Sequence, residues 1–63
     1  MLAENLTKYR EAQNLSKTEL AKRSGLTPRA IEFIEHKVRK NPKIETVQKL
    51  AKALGITVND LIK

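Results

Sequence analysis

Apolar side chains recur along this chain at intervals of three and four residues, and no stretch of any length alternates in the two-residue rhythm of a half-buried strand. Leu2, Leu6 and Tyr9 follow i, i+4, i+7 spacing and predict an opening amphipathic helix. Asn14 can end it, because asparagine tolerates the left-handed conformation found after a helix C-terminus. Ser16-Lys17-Thr18-Glu19 then has the S-x-x-E spacing of a capping box and starts a short second helix that turns Leu20 and Ala21 inward. Gly25 stops that helix, and Thr27-Pro28 restarts the chain at once. Threonine is a good N-cap, and proline at the first helical position lacks only an N–H that would be unpaired anyway. This third helix is expected to run to about His36. A fourth helix places Ile44, Val47, Leu50, Ala51 and Leu54 on one face and ends at Gly55. Thr57-Val58-Asn59-Asp60 repeats the capping logic ahead of Leu61 and Ile62. The two glycines and two prolines all fall where helices start or stop. The expected fold class is all-α, a compact five-helix domain spanning residues 1–63.

Within it, residues 17–36 form a unit of their own. Two short helices meeting at a steep angle need a small residue at their close approach, a glycine where the chain reverses hand, and branched apolar residues over the junction. Ala21, Gly25, Ile31 and Ile34 supply these. An ordinary helical hairpin in a bundle satisfies the same pattern. The third helix separates the two readings: at about 100° per residue, Ile31, Ile34 and Glu35 share one side, while Arg29, Phe33 and His36 share the other. A solitary aromatic on the outer side needs a use. It either packs on a neighbouring helix or a second subunit, or it offers apolar contact to a thymine methyl beside an arginine able to bond guanine bidentately.

Composition bears on the partner. The formal net charge is +6 over 63 residues, an excess that favours a polyanion, nucleic acid before an anionic membrane surface. Lys37, Arg39, Lys40 and Lys43 fall in an acid-free stretch, residues 37–43, which reads as a basic loop. Basic residues gather around the third helix and this loop, not along the polar face of one long helix, so membrane binding is the weaker reading. There is no cysteine, and His36 is the only histidine, so neither a disulfide framework nor a metal site is expected. A chain this short buries only about 60% of its unfolded surface, and stability must come from helix packing. No nucleophile has a base and an orienting group at hand, and no glycine-rich phosphate loop is present. An enzyme, a cofactor and a small-molecule substrate are therefore not expected. No apolar run approaches a membrane span, so the expected location is the cytoplasm, on the nucleoid.

Ser16–Glu35, SKTELAKRSGLTPRAIEFIE, resembles the helix-turn-helix of the Cro and phage-repressor family, also called the XRE family, whose fold is lambda-repressor-like. The resemblance extends through NPKIETVQKLAKALGITVNDLI and so covers nearly the whole chain. It implies five helices, with the second and third forming the motif, and binding of double-stranded DNA by a repressor-like regulator, often as a homodimer on a two-fold site. Position by position, it implies base contact at Thr27, Pro28, Arg29, Ala30 and Phe33. Phosphate contact is implied at Lys17 and at Lys37, Arg39, Lys40 and Lys43. Arg10 and Glu35 are implied to form a partly buried structural salt bridge. Two departures stand out. His36-Lys37 occupies the place where many members have glycine, and Pro28 replaces a polar side chain, so specificity leans on Arg29. A domain of this kind that has lost DNA binding and serves as a protein-interaction module is the rival reading. The sequence is equally compatible with a complete small repressor, part of a longer one, and an engineered module on the same scaffold.

Overall fold

In a computed structural model describing residues 2–37 and 42–63, five helices follow one another: α1 (Leu2–Ala12), α2 (Lys17–Ser24), α3 (Pro28–Glu35), α4 (Ile44–Leu54) and α5 (Val58–Ile62). No strand occurs among the described residues. Each helix begins or ends for a local chemical reason. Ser16 accepts a hydrogen bond from the Glu19 amide, at 3.0 Å, while the Ser16 amide donates to the Glu19 carboxylate. Thr57 and Asp60 repeat this reciprocal box ahead of α5. Thr27 caps α3 by accepting from the Ala30 amide at 3.1 Å, with Pro28 behind it. Gly25 ends α2 at φ +75°, a left-handed conformation in which any Cβ is strained. Asn14 ends the turn after α1 at φ +55°, as its side chain permits.

The packing order explains how the motif is held. Helix α2 is central: it packs against α3 and against α4, while α1 braces α3 and α5, and α5 also meets α4. Leu6, Leu20, Ile31, Ile34, Leu50 and Leu61 are wholly buried at the convergence, with Ala21, Val47, Ala51 and Leu54 closing around them. Ala21 stands where the α2 backbone needs a small neighbour, as the sequence suggests. Helix α1 and the turn that follows it also satisfy polar ends elsewhere. Gln13 Nε2 donates to the Leu54 carbonyl at the end of α4, at 2.7 Å, and Asn5 Nδ2 donates to the Leu61 carbonyl in α5, at 3.0 Å. These carbonyls belong to the last turn of their helices, where no N–H donor of the same helix is left to reach them. Among the described residues no buried side-chain polar atom lacks a partner.

Two expectations need correction, and one core residue is added. Ile44, placed by periodicity on the inward face of α4, is 59% exposed, because it is the first residue of that helix and lies beyond the end of the core. Helix α3 ends at Glu35, with His36 as its C-cap, one residue short of the expected limit. Leu15, in the connection between α1 and α2, is buried although no periodic pattern marks it.

Candidate nucleic-acid interface

The outer face of α3 begins at its cap. Thr27 spends one lone pair of its hydroxyl on the Ala30 amide and keeps its own proton for another acceptor. Pro28 and Arg29 are exposed, Ala30 and Phe33 are half-buried, and Ile31 and Ile34 point into the core. Phe33 does not join the apolar cluster that surrounds the core. Instead the Arg29 guanidinium sits 5.9 Å from its ring centroid, an i, i+4 cation–π contact on the helix surface. The stack limits the freedom of a side chain that is otherwise long and mobile. The structure thus gathers Thr27, Pro28, Arg29 and Phe33 on one open surface, with Ala30 at its edge.

Lys17 is the first residue of α2, and its Nζ lies 3.4 Å from Glu32 Oε1 on α3. This pair, between side chains 33% and 54% exposed, ties the start of α2 to the flank of the α3 face. Such a contact is worth roughly 0–1 kcal/mol and yields easily to a stronger anion. Lys37 has a different setting. Its backbone takes φ +61°, the conformation a glycine would adopt here without strain, and its Nζ bonds Glu4 Oε2 of α1 at 2.8 Å. Hydrogen bonding by Lys37 holds the Glu4 carboxyl below its ordinary value of 4.5. Lys37 therefore points back to α1 as well as standing at the mouth of the basic loop. Lys43 is exposed at the N-cap position of α4 and makes no capping bond. Arg39 and Lys40 lie outside the described residues.

The face is held from behind by Arg10 and Glu35. Arg10 Nε donates to Glu35 Oε2 at 2.7 Å, Nη2 to Oε1 at 3.1 Å, and Nη1 to the Leu15 carbonyl at 2.8 Å. The side chains are 11% and 4% exposed. The hydrogen bond to Glu35 pushes the guanidinium further toward its charged form. One fork thus joins α1 to α3 and pins the connection that leads into α2. The pairing of Arg10 with Glu35 was implied by the family resemblance; Glu32 as partner of Lys17, Glu4 as partner of Lys37, and the Leu15 carbonyl were not foreseen. The pairs made by Lys17 and Lys37 join residues 15 and 33 positions apart, beyond any local periodicity.

Among the described residues no group of three or more His, Cys, Asp or Glu side chains could hold a metal ion, and no helix is long and apolar enough to cross a membrane. The surface is organised for contact. A capped helix, a left-handed glycine turn and a second helix with one face buried and the other open make up the helix-turn-helix arrangement.

The chain belongs to the helix-turn-helix family, whose profile matches residues 6–61. It is 44% identical over 62 residues to the control protein C.SmaI of Serratia marcescens, covering 98% of this chain and 73% of that one. To the HTH-type transcriptional regulator SinR of Bacillus subtilis (strain 168) it is 27% identical over 62 residues, covering 98% of this chain. The chain spans only about half of that relative, 56% of its length. Among solved structures, SinR in complex with DNA superposes with a TM-score of 0.94 over the whole of both chains, at 27% identity. SinR from its complex with SinI gives 0.93 over 61% of that chain, also at 27% identity.

Proposed function

We propose that this chain is a sequence-specific binder of double-stranded DNA that regulates transcription by occupying its site, and that it acts by binding and not by catalysis. One observation carries the reading: the open face of α3 presents Arg29, steadied by Phe33, on a chain of net charge +6. Helix α3 lies in the major groove, where Arg29 bonds a guanine edge and Pro28, Ala30 and Phe33 supply apolar surface. Lys17 exchanges Glu32 for a phosphate, aided by the free amides at the start of α2, and Lys43 with Arg39, Lys40 and Lys37 grips the backbone beyond α3. Residues 1–63 act as one DNA-binding domain in the cytoplasm, on the nucleoid. A second copy binds the other half of a two-fold site about one helical turn away. The likeness to SinR bound to DNA and to C.SmaI supports this assignment.

The test is a titration with duplexes selected from a random pool, repeated at several salt concentrations. Arg29→Ala should relax preference at one base pair by about 1–3 kcal/mol, whereas Lys43→Ala should weaken all sequences alike and reduce the salt slope by about 1. Affinity that does not change with salt would contradict phosphate contact and favour a protein-interaction module.

A further inference from the structure

The cations of this protein are unevenly partnered. Among the described residues, Arg10, Lys17 and Lys37 pair with carboxylates, Lys8 lies over Tyr9, and Arg29 lies over Phe33. Lys22, Arg23, Lys49 and Lys52 have no ion pair, hydrogen bond or ring contact through their side chains with any described residue. These four line one shallow concavity between the C-terminal turn of α2 and the second half of α4. No acid lines it. Glu4, Glu11, Glu32 and Glu35 pair with cations elsewhere, Glu19 and Asp60 close capping boxes, and Glu45, one turn before Lys49 on α4, does not line the concavity.

Cations in the last turn of a helix complement its dipole, and Lys22, Arg23 and Lys52 occupy such positions. That effect is too small to account for the cluster. Two helix ends together carry roughly one unit of negative charge, so the dipoles by themselves leave about three of the four positive charges unbalanced. Lys49 and Lys52 are also i, i+3 neighbours, with Cβ atoms only about 5–6 Å apart, where like charges repel. An anion relieves that repulsion. The lining chooses among anions: Ala53 is its only apolar side chain, so it offers nothing to the greasy face of an amphipathic helix. A sequence-independent array of cations matches a phosphodiester backbone instead. No α3 residue lines the concavity, and Lys22 lies five residues beyond Lys17, about 7.5 Å further along α2.

Resting on the reading of this chain as a DNA binder, we propose that Lys22, Arg23, Lys49 and Lys52 form a second phosphate-binding surface. It takes duplex backbone outside the segment that α3 reads. That backbone comes from the flank of the same duplex or from a second duplex.

The experiment compares the parent chain with the K22Q/R23Q/K49Q/K52Q variant by fluorescence anisotropy across a salt series. One duplex is about 12 base pairs, little more than a helical turn, and the other about 30. All four side chains are exposed, and the pairs K22Q/R23Q and K49Q/K52Q serve as milder variants if the quadruple change disturbs folding. The parent should show a steeper slope of log affinity against log salt than the variant, by about 0.9 for each lost contact, with each pair giving part of the loss. A difference on the longer duplex alone assigns the flank. Two duplexes per parent chain, reduced to one in the variant, assign a second duplex. Equal slopes for parent and variant on both duplexes overturn the proposal. So do amide shifts at these four residues on adding poly-glutamate but none on adding duplex. A parent chain that binds no duplex at all refutes the broader DNA-binding reading instead, so the two failures are distinguishable.

Discussion

Replacing Arg10 by alanine tests how the recognition face is supported. The guanidinium makes three hydrogen bonds, two to a carboxylate only 4% exposed and one to the Leu15 carbonyl. Truncation leaves the Glu35 charge without its partner in a site water reaches poorly, and also frees a backbone acceptor. Removing one member of a buried pair costs about 3–5 kcal/mol. For 63 residues at 0.05–0.15 kcal/mol each, the whole stability is about 3–9 kcal/mol, so the variant should be largely or wholly unfolded near the lower bound. At about 4 °C or more per kcal/mol, the thermal midpoint falls by at least about 12 °C. Alongside Arg10→Ala, urea unfolding of Arg10→Met, Glu35→Leu and the double variant Arg10→Met/Glu35→Leu completes a cycle. The double variant should recover most of the loss, since apolar replacement of a whole buried pair is often neutral or better. A loss below about 1 kcal/mol for Arg10→Ala would place the pair in the class of surface ion pairs and refute the argument.

Two further outcomes follow from the α1–α3 junction. Because Lys37 lowers the Glu4 carboxyl below 4.5, their contact contributes to stability above that pH and is lost as the pH falls through the folded-state value. An NMR titration of the Glu4 side chain should therefore give a midpoint below 4.5 that rises toward the ordinary value in Lys37→Gln; a midpoint unchanged by the substitution contradicts the contact. Lys37→Gly removes the left-handed strain at φ +61°, worth about 1 kcal/mol, at the expense of a solvent-exposed ion pair. The variant should be the more stable in urea, and a clear destabilisation would mean that the tie to Glu4 outweighs the backbone.

The elements of this protein were legible in its sequence because their ends are made by residues close together in the chain. Ser16 with Glu19, Thr27 before Pro28, Gly25, Gly55, and Thr57 with Asp60 each act over five residues or fewer, and each lies where its chemistry places it. The two faces of α3 were equally legible, since burial of Ile31 and Ile34 turns Arg29 and Phe33 outward by helical geometry alone. Apart from Arg10 and Glu35, whose pairing the resemblance implied, only tertiary structure decided which charges meet. Lys17 finds Glu32, Lys37 finds Glu4, and Lys22 and Arg23 come to lie beside Lys49 and Lys52 only because α2 packs against α4 and α1 against α3. Long flexible side chains carry no periodic signature, and their partners depend on how whole helices cross, which is set by the apolar core and not by the charges themselves.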